Sequence, residues 1–270
     1  MIALQLGATL LVVMLIFLLR RRTRLSYQPY LLTLRESAHR QKAFFDKYNS
    51  YGVPIDVVYG VDTKKIENAR KFERVVDGRY MKKALELHYN HTARRPDITF
   101  FNLGAIGAMQ GHLSVFHRAA DQGVKYALVM EDNVMINDPS FFGEIQNAID
   151  VLGDDFEIVF FHCLSRFPDQ DGHVPGFERL RWISSMKCYL MHVQNMEKYV
   201  AKYLPQDNHI DHKVEDLIAH GARVYYKDLR KYISIDRSTN STIGHSKHDN
   251  PDFFSRRFPS ASASELLDGF

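Results

Sequence analysis

Two acids and an amide follow directly on an apolar run in the middle of the chain. The residues from Tyr126 to Met130 are mostly apolar, and Glu131, Asp132 and Asn133 come next. A short apolar run of this kind is typical of a strand buried on both faces of a parallel sheet. Acids at the end of such a strand lie at the carboxyl edge of the sheet, where open α/β sheets bind ligands. Hard divalent cations prefer oxygen ligands and bridge them to phosphates. The segment therefore predicts a metal–phosphate site in an enzyme that handles a nucleotide or a phosphorylated substrate.

The elements around this segment alternate between strand and helix. Hydrophobic periodicity and turn residues predict strands at 30–34, 57–59, 126–130, 158–161, 189–193 and 223–226. They predict helices at 37–51, 81–89, 106–120, 141–152, 196–203 and 211–219, and a loop at 168–176. Strands that alternate with helices through short connections favour a parallel sheet. We therefore expect an α/β fold with a mostly parallel sheet flanked by helices.

The composition divides the chain into three segments. Residues 1–25 begin with an apolar stretch from Ile2 to Leu19, which is followed by Arg20, Arg21, Arg22 and Arg24. A helix of this length spans roughly 27 Å, close to the hydrocarbon core of a bilayer. We expect an N-terminal transmembrane helix with a basic juxtamembrane segment, and not a cleaved signal peptide, because no basic region precedes the apolar stretch. Residues 26–245 are expected to form the folded domain, and residues 246–270 a loose tail.

The positions of the charges predict the partners and the location. The four arginines at 20–24 account for the net charge of +3, and the rest of the chain has no basic stripe that would favour nucleic acid. They favour the lipid bilayer as a partner and, by the positive-inside rule, a single-pass membrane protein with its domain in the cytosol. Two cysteines fit a reducing compartment. Two glycosylation sequons, at Asn90 and Asn240, keep the lumen of the endoplasmic reticulum or Golgi as the alternative.

Several stretches resemble glycosyltransferase family 25, the lipopolysaccharide-type and procollagen galactosyltransferases. The stretches are Leu31–Ser37 with Arg40, Val61-Asp62, Leu103–Ser114, Met130–Val134, and the late positions His209–Asp211 and Ser241–Ile243. They are similar, in order, to the family's opening strand and arginine, its Ala-Val-Asp turn, its Gly-x-Ile-Gly helix, its Glu-Asp-Asp-Val segment, and its late Asp and Ser-x-Ile positions. The chain departs from the pattern at Asn133, where the family has a third acid, and at Gly111, where it has a serine.

The resemblance implies a GT-A-like glycosyltransferase domain over residues 26–245. It implies transfer of a sugar, galactose or a relative, from a nucleotide donor such as UDP-galactose to a hydroxyl of a glycan, lipid or protein, with inversion. Such chemistry needs a cation at the leaving diphosphate, for which the resemblance implies Mn²⁺ or Mg²⁺. It also needs a base for the acceptor proton and a site that aligns donor and acceptor.

The resemblance also implies roles for the acids and for one arginine. Glu131 and Asp132 would bind the nucleotide sugar, and Asp132 and Asn133 would hold the metal. Arg40 would contact the phosphates with its guanidinium, and Asp62 would hold the ribose or the base. The residues alone allow plainer interpretations: a strand-end turn for the first three, a solvated helix position for Arg40, and a turn position for Asp62.

The remaining candidates lie on two predicted helices. Gly104 and Gly107 would let a nucleotide sugar approach the backbone near a helix start, although helix packing explains them equally well. His112 and Asp211 would be the catalytic residues, with Asp211 as the general base. A histidine beside an apolar stripe is often a part-buried core residue, and Asp211 also occupies the position of a helix N-cap.

Two hypotheses from different classes follow from this pattern. The first is a membrane-anchored, metal-dependent sugar transferase. The second is a transferase-like module that binds nucleotide sugars but has weakened catalysis, which Asn133 and Gly111 favour. A plain membrane scaffold would bind no nucleotide at all.

Overall fold

The computed structural model describes residues 25–89, 102–169 and 174–236. These residues form ten strands: β1 Gln28–Leu34, β2 Asp56–Gly60, β3 Tyr126–Glu131, β4 Val134–Ile136, β5 Ile158–His162, β6 Ser165–Pro168, β7 Glu178–Ser184, β8 Cys188–His192, β9 Val224–Tyr226 and β10 Ile233–Ile235. They also form seven α-helices: α1 Ala38–Tyr48, α2 Ile66–Ala69, α3 Gly78–Tyr89, α4 Leu103–Asp121, α5 Ser140–Leu152, α6 Val193–Val200 and α7 Ile210–Ala219.

The fold is a mixed α/β fold around one eight-stranded sheet, in the order β2-β1-β3-β8-β5-β9-β7-β6. Strand β1 runs parallel to β2 and β3, and β5 runs parallel to β9. The other four neighbouring pairs in the sheet are antiparallel. The prediction of a mostly parallel sheet is therefore wrong. Two of the antiparallel pairs involve β7, and the other two involve β8, which returns from β7 through a short turn and inserts between β3 and β5. Its five residues are all buried, so their sequence has no signal for direction.

No helix among the described residues is both long and apolar enough to cross a membrane. This finding corrects the predictions of an N-terminal transmembrane helix, of a single-pass membrane protein with a cytosolic or lumenal domain, and of the lipid bilayer as a partner. The longest described helix, α4, has 19 residues, and its apolar side is buried in the core while polar side chains cover the rest. Residues 1–24 of the predicted anchor and the predicted tail, 246–270, lie outside the described residues.

Helices cover both faces of the sheet, and alternate residues of each central strand pack against opposite layers. Ala127 and Val129 of β3 belong to the core that includes residues of α4, α6 and α7. Leu128 and Met130 belong to the core that includes residues of α1 and α5. This alternation is the expected two-residue period of a strand. It assigns each residue at the end of a central strand to one face of the sheet.

The apolar spacing predicts a helix at 106–120, and α4 forms there and packs on the parallel half of the sheet. The side chain of Asn102 caps its first turn by accepting a hydrogen bond from the Gly104 N–H at 2.7 Å. Gly111 packs against Leu32 of β1, where an added Cβ would lie 3.0 Å from a methyl carbon. The helix ends near Gly123, which has a positive φ of 65°. The close approach at Gly111 holds the start of α4 above the carboxyl ends of β1 and β2.

Candidate functional site

A pocket opens at the carboxyl ends of β1, β2 and β3. Because β1 is parallel to both neighbours, the three carboxyl ends meet at one edge of the sheet, and the first turns of α4 cover them. The pocket is lined by Leu32, Thr33, Leu34, Gly60, Val61, Asp62, Thr63, Gly104, Gly107, Ala108, His112, Glu131 and Asp132. Six of the predicted site residues are therefore in one lining: Asp62, Gly104, Gly107, His112, Glu131 and Asp132.

Asp132 is held from behind by two buried partners. The Arg40 guanidinium donates to Asp132 Oδ1 at 3.1 Å, and the Thr33 hydroxyl donates to Oδ2 at 2.6 Å. Burial raises the pKa of Asp132 above its ordinary value, although Thr33 and Arg40 act in the opposite direction. Arg40 is only 6% exposed and is not among the lining residues. The structure thus places Arg40 against Asp132, where it orients the carboxylate, rather than in the pocket.

Glu131, His112 and Tyr189 form a chain of polar contacts on the α4 side of the sheet. His112 Nε2 lies 3.6 Å from Glu131 Oε1, and His112 Nδ1 lies 2.9 Å from the Tyr189 hydroxyl. Burial acts to raise the pKa of Glu131, but His112 and Lys187 together outweigh it and hold the pKa below its ordinary value. Burial also keeps the pKa of Tyr189 well above its ordinary value, so the phenol stays neutral. These contacts fix the His112 ring and direct it at the Glu131 carboxylate in the pocket.

One wall of the pocket is built from small residues and Thr63. The Thr63 hydroxyl donates to the Leu103 carbonyl at 2.5 Å and accepts from the Gly107 N–H at 2.9 Å. Any side chain at Gly107 would collide with the Val61 carbonyl oxygen and with Thr63. The turn after β2 and the first turns of α4 therefore touch backbone to backbone. Packing explains Gly107 fully, and the same contact leaves a smooth wall for a ligand.

Asp62 and Gly104 use part of their hydrogen-bonding capacity within the wall. Asp62 Oδ1 accepts from the Lys64 N–H at 3.2 Å, and its carbonyl accepts from the Asn68 side chain at 3.1 Å. The Gly104 N–H is bonded to Asn102, so it is not open to a phosphate. The turn interpretation of Asp62 is thus correct, and the residue also faces the pocket.

Asp211 does not line the pocket, and it is not the N-cap of α7, because His209 occupies that position. Its carboxylate instead holds the turn between β7 and β8. Asp211 Oδ2 accepts from the Ser185 N–H at 2.9 Å, and Oδ1 accepts from the His212 N–H at 3.0 Å. The same turn continues to Lys187, whose carbonyl accepts the Glu131 N–H at 2.9 Å. Asp211 is therefore connected to the pocket through the turn of residues 185–187.

Asp132 lines the pocket and Asn133 does not, but each has a side-chain oxygen atom of the kind that divalent cations bind. Asn133 is 9% exposed, and its Oδ1 atom has no hydrogen-bond partner among the described residues. Each Asp132 oxygen accepts one hydrogen bond from protein and has a second lone pair. The described residues contain no group of three or more His, Cys, Asp or Glu side chains that could hold a metal alone. One carboxylate and one amide suit a cation whose remaining ligands are substrate phosphates and water, as is common for Mg²⁺.

Sequence reasoning missed four residues of this site: Thr33, Thr63, Lys187 and Tyr189. Thr33 is the polar residue in an otherwise apolar strand, which was a usable signal. Thr63 directly follows the predicted turn at Asp62. No pattern marks Lys187 or Tyr189, because their place depends on how β8 pairs with β3.

Comparison with protein families identifies the class of protein. Residues 27–209 match a family described as "Glycosyltransferase family 25 (LPS biosynthesis protein)". The protein is therefore a glycosyltransferase, an enzyme that transfers a sugar. The match covers well over half of the chain, and the chain belongs to glycosyltransferase family 25. The prediction of this family from the sequence is confirmed. The matched range includes the whole pocket and ends two residues before Asp211.

Solved structures show weaker likenesses, and no curated protein matches. A glycosyltransferase involved in glycosylation of the major capsid of PBCV-1 is 12% identical, with a TM-score of 0.37 over 74% of this chain and 81% of that one. Mannose-1-phosphate geranyltransferase from Thermus thermophilus is 10% identical, with a TM-score of 0.41 over 82% and 80%. A Drosophila beta-1,4-galactosyltransferase 7 mutant, in complex with manganese, UDP-Gal and xylobiose, is 11% identical, with a TM-score of 0.40 over 84% and 79%. Likenesses this weak say nothing about the donor, the metal or the acceptor of this chain.

Proposed function

We propose that the protein transfers a hexose, galactose or a relative, from a uridine-type nucleotide sugar to a hydroxyl of a glycan, lipid or protein, with inversion. The observation that carries the proposal is the single pocket that gathers Asp62, His112, Glu131 and Asp132 at the carboxyl edge of the sheet. This edge is where open α/β sheets bind nucleotides. Membership of the family supports sugar transfer as the reaction.

The pocket suits the polyhydroxyl part of a nucleotide sugar. Carboxylates accept hydrogen bonds from hydroxyl groups, and three carboxylates reach this lining from β2 and β3. The glycines and Ala108 of the wall let a ribose or sugar ring come close to the backbone. In this proposal Asp62 binds the ribose or base at the β2 side, and Asp132 binds on the β3 side. Arg40 and Thr33 hold Asp132 in one orientation, so the carboxylate needs no reorganisation when the donor binds.

Glu131 is the carboxylate we place at the acceptor hydroxyl. Its Oε1 atom lies beside His112, and among the described residues no hydrogen bond to its other oxygen is found. That oxygen can accept the hydroxyl proton as the acceptor oxygen attacks the anomeric carbon from the side opposite the leaving diphosphate. His112, fixed by Tyr189, orients Glu131 during this transfer. Asp211, the base expected from the sequence, has both oxygens bonded to backbone N–H groups outside the pocket.

Asp132 and Asn133 are the residues that would hold Mn²⁺ or Mg²⁺. A cation there would neutralise charge on the leaving diphosphate. The buried Asn133 Oδ1, which lacks a partner among the described residues, supports this assignment.

Donor hydrolysis and sugar transfer by the purified protein test the proposal. A panel of nucleotide sugars is assayed with and without Mn²⁺, beside Asp132→Ala and the control Asp46→Ala, an exposed acid on α1. We expect turnover of one donor, a loss of about 100-fold or more in Asp132→Ala, and no change in Asp46→Ala. Equal turnover by Asp132→Ala would refute the proposed site.

A second candidate function is a nucleotide-sugar-binding module that has lost catalysis. The amide at Asn133, in place of an acid, favours it. Calorimetry separates the two functions. Tight binding of a nucleotide sugar that does not depend on metal, together with no turnover of any donor, would establish the binding module.

A further inference from the structure

The pocket has a surplus of negative charge. Among the described residues, its lining includes Asp62, Glu131 and Asp132 but no lysine or arginine. A nucleoside diphosphate brings further negative charge into the same space, so it needs a positive group nearby. Two basic residues around this edge are already paired: Arg40 with Asp132 at 3.1 Å, and Lys65 with Glu36 at 3.3 Å. A metal ion at Asp132 and Asn133 would offset part of this charge, and a basic side chain elsewhere on the rim would offset more of it.

Lys187 lies beside Glu131 and on the same face of the sheet. In the β3–β8 ladder Met130 is opposite Cys188, so Lys187 is opposite Glu131 in the next register position. The backbone hydrogen bond from the Glu131 N–H to the Lys187 carbonyl, at 2.9 Å, continues this ladder beyond the strand ends. Tyr189 and Met191 of β8 belong to the core on the α4 side, and Cys188 and Leu190 to the opposite one. The two-residue period then places Lys187 on the α4 side, with Glu131, His112 and Tyr189.

Lys187 differs from Arg40 and Lys65 in its partners. It is half-buried, and it has no ion pair with any described residue. Its ammonium group therefore has no salt-bridge partner among the described residues, although its charge helps to lower the pKa of Glu131. A lysine in this position acts as a point charge that binds phosphate oxygens.

The turn that presents Lys187 is held in a strained conformation. Ser185 has a positive φ of 84°, a region that side chains with a Cβ rarely adopt. Strain of this kind persists only where the surroundings enforce it. The enforcing contact is the hydrogen bond from the Ser185 N–H to Asp211 Oδ2, at 2.9 Å. Asp211 therefore fixes the backbone two residues before Lys187.

We propose that Lys187 binds the diphosphate of the nucleotide sugar, and that Asp211 is a positioning residue that fixes Lys187 through the Ser185 turn. This inference rests on the proposed function, since it names the group that holds the leaving diphosphate. It assigns a positive charge to the rim of the pocket beside Glu131, and it gives Asp211, which lies outside the pocket, a role in the site.

Calorimetry with two probes tests this inference in the full-length protein without metal. UDP carries the diphosphate and uridine lacks it, so the ratio of their affinities isolates the phosphate contact. We expect Lys187→Ala to weaken UDP binding about 10- to 100-fold, as for a hydrogen bond to a charged group, and to leave uridine binding unchanged. Lys187→Arg should restore most of the UDP affinity. Asp211→Asn should weaken UDP binding selectively but less, and Lys42→Ala, an exposed lysine on α1, should change neither probe.

The outcomes separate the inference from the proposed function. If the wild-type protein binds none of UDP, GDP, ADP or CDP, the proposed function fails, and this inference fails with it. If UDP binds the wild-type protein and Lys187→Ala equally well, only the inference is overturned. If Lys187→Ala weakens UDP and uridine by the same factor, the residue has a structural role and the inference is also overturned. Thermal unfolding of each variant shows that the compared proteins are folded.

Discussion

Acidic side chains lie at both edges of the central sheet, but the number of positively charged neighbours differs between the two edges. At the amino edge, Glu157 precedes β5 and is fully buried, and it accepts the Arg223 N–H at 2.6 Å and the Arg223 guanidinium at 3.2 Å. Lys198 adds a third contact at 3.5 Å. At the carboxyl edge, Glu131 has one histidine within 4 Å and the charge of Lys187 nearby, and Asp132 has one arginine. Glu157 at the amino edge is thus contacted by two cations, whereas the carboxyl edge keeps a surplus of negative charge beside a pocket.

The difference separates acids that hold the fold together from acids that are available to a ligand. A buried carboxylate with several charged donors contributes to the folded state but cannot exchange them for substrate at low free-energy cost. A carboxylate with one partner and an open side can accept a hydroxyl or a proton. A count of charged residues would treat both edges as candidate sites, and the number of protein partners per carboxylate distinguishes them.

The largest expected effect of a substitution concerns stability and lies at the amino edge. Glu157→Ala leaves the Arg223 guanidinium and Lys198 without their buried partner. We expect the free energy of unfolding to fall by about 2 to 4 kcal/mol, because the Arg223 N–H and guanidinium lose a buried charged acceptor together. Denaturant titration measures this change, and nucleotide affinity of the folded fraction should stay at the wild-type value. Asp155→Ala is the matched control, because Asp155 contacts the same arginine from an exposed position. A small stability change in Glu157→Ala would show that the amino-edge acid does not stabilise the fold more than the carboxyl-edge acids do.

The next effect concerns catalysis and lies at the carboxyl edge. Glu131→Gln keeps the shape of the side chain and removes the group that we assign as proton acceptor. We expect the rate of transfer at saturating donor to fall about 100- to 10,000-fold. The free energy of unfolding should change by no more than about 1 kcal/mol, since only one polar contact is lost. Single-turnover kinetics and denaturant titration measure the two quantities. If Glu131→Gln unfolds more easily than the wild-type protein but transfers sugar at the normal rate, Glu131 stabilises the fold and is not the proton acceptor.

Asn133→Asp tests whether the carboxyl edge is a metal site with one charge missing. The substitution puts a carboxylate at the buried position of the Oδ1 atom that has no partner among the described residues. We expect Mn²⁺ to bind about tenfold more tightly, as measured by calorimetry without nucleotide, because a second charge joins Asp132. The protein without metal should lose about 1 to 3 kcal/mol of stability, since the new charge is buried. Unchanged Mn²⁺ affinity would argue against a cation at these two residues.

The sequence predicted single elements of the site well, but not the contacts between them. The run from Tyr126 to Met130 predicted a buried strand with acids at its carboxyl end, because the two-residue period and the polar end are local features. The partners of Asp132 could not be predicted in the same way, since Thr33 and Arg40 are 99 and 92 residues away in the chain. Only the parallel pairing of β1 with β3 brings them together.

The antiparallel half of the sheet was the least predictable part. Strand β8 is buried at every position, so its residues indicate a central strand but not its direction. Its direction is set by the turn at Ser185, where a serine adopts a conformation typical of glycine. Lys187 and Asp211 reach the site only through this turn. The contacts of these two residues could not be predicted from the sequence, because they depend on one strained backbone position.

The smallest expected effect is a pH dependence at the amino edge. Lys125 and the Tyr126 hydroxyl hold the pKa of Asp154 at about 2, below its ordinary value of 3.8. A carboxyl whose pKa is lowered by folding stabilises the folded state above the pKa of the unfolded chain. This contribution is lost as the pH falls through 3.8 toward about 2.

We therefore expect Asp154→Asn to melt at a lower temperature than the wild-type protein above pH 4, and the difference to shrink steadily toward pH 2. The side chain is exposed, so the difference should be small and should weaken further in high salt. A difference that stays constant across this range would show that Asp154 contributes through shape alone, and that the charges of the amino edge stabilise the fold less than those contacts indicate.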